Sequence, residues 1–213
     1  MDKLRIAVIL GGNRNGLTGP AVTRWFLDRA RGHGGGELDV LDVADLDSGQ
    51  GHGEPLRDFG ARIEAADAFV VLTPEYNHAF PGPLKAVIDS ARHEWTAKPV
   101  GFVSYGGLSG GLRAVEQLRL VFSELHTATL RDTVSFHNAQ TLFAPDGSPK
   151  EDMSGAEAAV DTLLDRLLWW ARALRSARGR EPIRDALTLR PRSPCEGPRV
   201  SAGRRPRWDP CGR

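Results

Sequence analysis

Between the N-terminus and residue 175 the hydrophobic pattern switches period again and again, and that switching constrains the fold more than any other feature of the chain. Ile6-Ala7-Val8-Ile9-Leu10 is an unbroken apolar run ended by Gly11. Ala68-Phe69-Val70-Val71-Leu72 and Pro99-Val100-Gly101-Phe102-Val103 have the same character, while residues 38–43 alternate with aspartates and a weaker run falls within 127–136. Short, continuous, β-branched runs of this kind suit strands buried on both faces of a parallel sheet. Between them the apolar positions recur every three or four residues. Val22, Phe26 and Ala30 predict a helix after the first run, and residues 59–66 a short one before the third. Leu84, Val87, Ile88 and Ala91 predict another, as do Leu112, Val115, Leu118, Val121, Phe122 and Leu125, and Val160, Leu163, Leu164, Leu167, Leu168 and Ala171. These stripes are core positions. The order βαβαβαβαβα demands right-handed crossovers and helices on both faces of one doubly wound sheet. Rossmann-like and 2-1-3-4-5 strand orders both satisfy it, and either places a ligand in the loops that follow the strand carboxyl ends.

Composition changes abruptly beyond residue 175. Residues 176–213 carry ten arginines, no lysine and four acids, a net charge of +6, against −5 for residues 1–175. The tail is rich in proline and glycine and lacks a hydrophobic period, so it is expected to be a disordered, solvated extension. The overall charge of +1 gives no field that would draw the whole chain to nucleic acid or to an anionic membrane. Both cysteines, Cys195 and Cys211, lie in the tail and read as incidental thiols; a core without cysteine suits a reducing cytoplasm. The N-terminal apolar run of five residues is too short for a secretory signal or a membrane span, which gives the same cytoplasmic expectation.

Three loops are candidates for chemistry. The first, after Leu10, reads Gly11-Gly12-Asn13-Arg14-Asn15-Gly16-Leu17-Thr18-Gly19-Pro20. Its glycines let the backbone approach an anion, the following helix start supplies amides, and Asn13, Arg14 and Thr18 add side-chain donors. It matches neither the Walker pattern nor the dinucleotide glycine pattern, which disfavours ATP and a Rossmann-bound nicotinamide; a purely structural turn is the bland alternative. The second loop, Thr73-Pro74-Glu75-Tyr76-Asn77-His78-Ala79-Phe80-Pro81-Gly82-Pro83, combines a stiffened backbone with an aromatic face and an amide, a mixture suited to a flat heteroaromatic ligand. Glu75 and His78 also admit a reading as an acid/base pair or metal ligands, although no further ligand residue falls at suitable spacing. The third, Ser104-Tyr105-Gly106-Gly107-Leu108-Ser109-Gly110-Gly111, again brings amides to the same edge.

The segment Thr73-Pro-Glu-Tyr-Asn-His-Ala-Phe-Pro-Gly-Pro-Leu-Lys-Ala-Val-Ile-Asp resembles the signature of the NADPH-dependent FMN reductase family. So do Lys98-Pro-Val-Gly-Phe-Val-Ser-Tyr-Gly-Gly and the Gly-Gly-Leu-Arg-Ala-Val-Glu-Gln-Leu-Arg that begins at Gly110. The resemblance implies a flavodoxin-like three-layer sandwich over residues 1–175, with a five-stranded parallel sheet of order 2-1-3-4-5 and helices on both faces. It also implies FMN as cofactor, NADPH or NADH as hydride donor, and a homodimer or homotetramer that reduces a flavin, quinone or similar small acceptor. By position, Gly11, Gly12, Asn13, Arg14, Thr18 and Gly19 would hold the FMN phosphate. Pro74, Glu75, Tyr76 and Asn77 would line the ring and ribityl chain, and Ser104, Tyr105, Gly106 and Gly107 would border the ring from the other side. No catalytic side chain and no metal are implied, because the flavin carries the chemistry. The family usually has serine where Gly12 stands and often arginine where Leu17 stands. Losing one charge-assisted hydrogen bond weakens binding about ten- to a hundredfold, so a dissociable FMN is expected. A flavodoxin-type electron carrier is the competing reading, though such carriers are usually more acidic than this core; a flavin-free interaction module is a third. Trp95 and the adjacent pair Trp169 and Trp170 suggest a subunit interface, since neighbouring helix residues cannot both face one core.

Overall fold

A computed structural model describes residues 3–12, 16–46, 54–181 and 183, with backbone only for 54–57. In chain order the elements are β1 (Arg5–Leu10), α1 (Thr18–His33), β2 (Glu37–Asp42), α2 (Val43–Leu46), α3 (Glu54–Ala65), β3 (Ala68–Pro74) and α4 (Gly82–Asp89). A 3₁₀ turn (His93–Trp95), β4 (Pro99–Tyr105), α5 (Leu112–Glu124), β5 (Ala128–Phe136), α6 (Ala139–Leu142) and α7 (Ser154–Arg180) follow. The five strands form one sheet of order β2-β1-β3-β4-β5, parallel at every pairing. This order settles the choice that periodicity left open and makes the fold flavodoxin-like.

Strand pleating divides the core into two layers. Val8, Val70, Leu72 and Val103 point to one face, where Val22 and Phe26 of α1 and Val160, Leu163, Leu164 and Leu167 of α7 cover them. Ile9, Val71, Val100 and Phe102 point to the other, against Phe59 and Ile63 of α3, Leu84 and Ile88 of α4, and Leu118 and Phe122 of α5. Every residue of β3 and β4 is buried, as continuous apolar runs require. In β5 the partners jump from Val100↔Thr129 to Phe102↔Thr133, which leaves carbonyls without ladder partners. Arg119 of α5 donates to the carbonyls of Leu130 and Arg131 and to the Thr133 hydroxyl, with its guanidinium 5.3 Å from the Phe102 ring centroid.

Trp95 corrects one expectation. It is wholly buried, donates its indole N–H to the carbonyls of Ile88 and Ala91, and packs edge-on against Phe69 and Phe122. The 3₁₀ turn folds it inward, so it belongs to the core and not to a subunit surface. Trp169 and Trp170 do face solvent, 61% and 42% exposed. Chain contacts divide at residues 182 and 183, and α7 runs five residues past the composition change at 175 before ending at Arg180. Residues 184–213, with both cysteines, lie outside the described residues.

Candidate functional site

At the carboxyl edge β1 is followed by Gly11, whose amide donates to the Leu72 carbonyl at 2.8 Å; a Cβ on Gly11 would stand 2.6 Å from Leu84 Cδ2. Gly12 follows, and Asn13 and Arg14 lie outside the described residues. The chain then enters α1 through Leu17, 68% exposed, with no side-chain cap and no acidic residue in the first turn. The first intrahelical bond runs from Ala21 N to Leu17 O, so the amides of Thr18 and Gly19 head the helix as donors without helical acceptors. An uncapped helix start of this kind favours an anion through both its amides and the helix dipole.

Beyond β3 the backbone continues in sheet register, with Glu75 N donating to Tyr105 O, and then reverses in a tight hairpin in which Tyr76 and Ala79 exchange two backbone bonds of 2.8 and 3.1 Å. Its two central residues, Asn77 at φ 49° and His78 at φ 70°, both adopt the left-handed conformation that a mirror-image turn requires. Gln117 of α5 secures the tip by donating to the His78 carbonyl at 2.7 Å. Tyr76, next to this tip, is 47% exposed.

The Glu75 carboxylate turns inward, only 7% exposed. It accepts the Ser109 hydroxyl at 2.7 Å, the Arg113 amide at 3.2 Å and the Arg113 guanidinium at 2.8 Å. Burial disfavours its charge, but the Ser109 bond and the Arg113 bonds outweigh it and hold the carboxyl below its ordinary range. Glu75 therefore fastens the loop after β3 to the loop after β4 and to the first turn of α5. Its charge is committed to those partners.

The loop after β4 is fixed from beneath. The hydroxyls of Ser104 and Ser135 both donate to Gly110 O at 2.8 Å, Asn138 N and Ala139 N donate to the carbonyls of Gly107 and Gly106, and a His137 ring nitrogen lies 2.8 Å from Leu108 O. Gly111, at φ 84°, is required here, because a Cβ would stand 2.7 Å from Ser104 Cβ and 2.9 Å from Tyr105 N. Gly107 differs, since a Cβ on it would meet nothing within 4 Å. The amides of Gly107, Leu108 and Ser109 have no acceptor among the described residues.

Thus the structure brings Gly11, Gly12, Pro74, Glu75, Tyr105 and Gly106 together at one edge. A Cβ on Gly12 would reach Tyr105 Oη and Pro74, and one on Gly106 would reach Glu75 Cβ. Thr18 and Gly19 start α1, while Tyr76 and Asn77 are exposed on the hairpin. Ser104 is wholly buried with its hydroxyl spent on Gly110, and Tyr105 is buried with its ring in the core. Sequence reasoning did not single out Ser109, Arg113, Gln117, Ser135 or Asn138, which hold the loops. Arg113 alone left a signal, as a cation at the start of the helix that follows a glycine pair. The edge as built combines an uncapped helix start, an exposed aromatic ring and a run of unspent amides, and that set fits a phosphorylated, flat, hydrogen-bonding ligand such as FMN.

Residues 4–141 match the model of the NADPH-dependent FMN reductase family. An NAD(P)H-dependent FMN reductase of Schizosaccharomyces pombe is 32% identical over 120 residues, covering 50% of this chain and 60% of that protein. An NAD(P)H:quinone oxidoreductase of Solanum tuberosum is 36% identical over 104 residues, covering 43% and 54%. The chain therefore spans between half and two thirds of the length of these relatives. Among solved structures, the flavoenzyme NAD(P)H:(acceptor) oxidoreductase FerB of Paracoccus denitrificans superposes with a TM-score of 0.61 at 21% identity, over 81% of this chain and 98% of that one, a likeness of fold. With the family model matched over residues 4–141 and the sheet order in agreement, this chain belongs to the NADPH-dependent FMN reductase family.

Proposed function

We propose that the protein is an NAD(P)H-dependent reductase that binds FMN at the carboxyl edge of its sheet and passes electrons on to a small acceptor such as a flavin or quinone. The observation that carries this reading is the convergence of three unspent features on one edge: the α1 start, the exposed Tyr76 ring, and the amides of Gly107, Leu108 and Ser109. In this reading the Thr18 and Gly19 amides take the phosphate, with Asn13 and Arg14 as further donors. Tyr76 and Asn77 flank the ring on one side and the loop at Gly106 and Gly107 on the other. Bound FMN supplies the hydride and electron transfer chemistry. The side chains orient it, and the amides near the start of α5 lower the cost of negative charge on the ring's pyrimidine edge.

Titrating the purified protein with FMN and adding NADPH or NADH anaerobically tests both parts. Binding followed by bleaching of the visible flavin bands is expected; a bound flavin that stays oxidised would refute the reductase reading. Steady NADPH oxidation with a small quinone and no second protein separates an enzyme from an electron carrier. We further propose self-association, supported by the exposed Trp169 and Trp170 rings, which contact each other at 5.3 Å; light scattering gives the subunit number. A cytoplasmic site of action and a tail without a role in flavin binding complete the reading. No described helix is long and apolar enough to cross a membrane. Removal of residues 184–213 should leave the FMN dissociation constant unchanged.

A further inference from the structure

Tyr105 is the last residue of β4, 7% exposed, with its ring in the core layer beneath α1. A buried tyrosine hydroxyl ordinarily finds a hydrogen-bond partner, and a phenylalanine would fill the same space without needing one. The Tyr105 ring is buried, but its hydroxyl has no hydrogen-bond partner among the described residues and is not sealed in the core, since no fully buried side-chain polar atom among those residues is unpaired. It lies beneath Gly12, so close that a Cβ there would stand 2.3 Å away, and it borders a cavity of about 410 Å³ that Gly19 and Pro20 of the first turn of α1 also line. The charged groups on that wall are Arg24, Arg31 and Asp42, a positive balance, and the Asp42 carboxylate accepts the Ala44 amide at 2.9 Å.

Gly12 supplies an independent observation. It is not among the residues with positive φ, so no backbone conformation forbids a side chain there. The other atoms a Cβ would meet, Pro74 Cδ at 3.4 Å and Tyr105 Cζ at 3.5 Å, are at ordinary contact distance. Only the phenol oxygen excludes one. The glycine thus leaves the phenol oxygen uncovered just beyond the end of β1.

We propose that the Tyr105 hydroxyl is a ligand of the FMN phosphate, reaching it through the space that Gly12 leaves. This rests on the FMN reading above and moves Tyr105 from the ring side of the cofactor to its phosphate end. Burial, with Tyr76 and Asp42 adding to it, raises the phenol above its ordinary range, so the group stays protonated and donates. Together with the α1 amides it gives the phosphate a donor from beneath as well as from the helix axis.

The test compares FMN with riboflavin, which lacks the phosphate, by titration of the full chain. Tyr105→Phe should weaken FMN about ten- to a hundredfold and leave riboflavin unchanged. Gly12→Ala should weaken FMN in the same range by displacing the hydroxyl, and the double variant should be no worse than the weaker single one, since both remove one contact. Tyr105→Phe that binds FMN within twofold of the parent protein, or that loses both flavins in equal proportion, would overturn the proposal while leaving the FMN reading in place. A parent protein that binds neither flavin would overturn that reading, and this inference with it.

Discussion

At the carboxyl end of the sheet donors stand unspent, whereas at the amino end of the same strands nearly every charge is used internally. There Lys98, 4% exposed, donates to the carbonyls of Ile63 and Glu64 at 2.8 Å each and so closes the C-terminal end of α3. Asp67 accepts the Arg5 amide and the Arg175 guanidinium, and Arg178 donates to Ala97 O and lies 3.8 Å from Asp67. The amino end is thereby fastened to α7. At the carboxyl end the committed charge, Glu75 with Arg113, joins two loops to each other, and the amides of Gly107, Leu108 and Ser109 keep no acceptor among the described residues. One sheet therefore carries both a sealed end and an open one, each held by its own set of interactions.

Substitutions at the two ends should separate stability from binding. Trp95→Ala, at the sealed end, empties the largest fully buried side chain and should cost about 3–5 kcal/mol in chemical denaturation. FMN affinity of the protein that remains folded should be unaltered, and a parallel loss would mean that the two ends are not independent. Gly111→Ala, at the open end, forces a Cβ against Ser104 and Tyr105 at positive φ and should cost about 2–4 kcal/mol. Here FMN affinity should fall more than tenfold as well, because the loop after β4 must shift.

Glu75→Gln keeps the shape and removes the charge. It should raise the FMN dissociation constant about tenfold while lowering stability by only about 1–2 kcal/mol, measured by titration and denaturation on the same preparation. An unchanged dissociation constant would show that the loops hold their position without the ion pair. The smallest effect is one of pH at the sealed end. Burial lowers the Lys98 ammonium to about 8 from an ordinary 10.5. Between those values the unfolded chain holds more protons than the folded one, so this group makes stability rise with pH across that window, by no more than about 1.4 kcal/mol per unit. Lys98→Met should remove this increment, and FMN affinity should not follow it.

The strands β1, β3 and β4 and the stripes of α4, α5 and α7 could be read directly, because burial on both faces and helical period leave unambiguous patterns. Strand order could not, since crossover handedness allows two solutions, and the family resemblance chose the one observed. The three candidate loops were also legible as turns at strand ends, two of them glycine-rich and the middle one stiffened by proline. The direction of their side chains was not. Ser104 and Tyr105 are neighbours on a pleated strand and so leave on opposite faces, and both turn inward to partners that sequence proximity does not reveal. Glu75 meets Ser109 and Arg113 across 34 and 38 residues, and Gln117 reaches His78 across 39. Trp95 was misjudged for a related reason: a three-residue turn leaves no periodicity from which its burial can be inferred.

Gln117 and Arg113 lie one helical turn apart on α5, one gripping the hairpin tip and the other its base. The hairpin and the loop after β4 are consequently splinted to a single rod and must travel as one wall. A displacement of the first two turns of α5 would therefore shift both loops together.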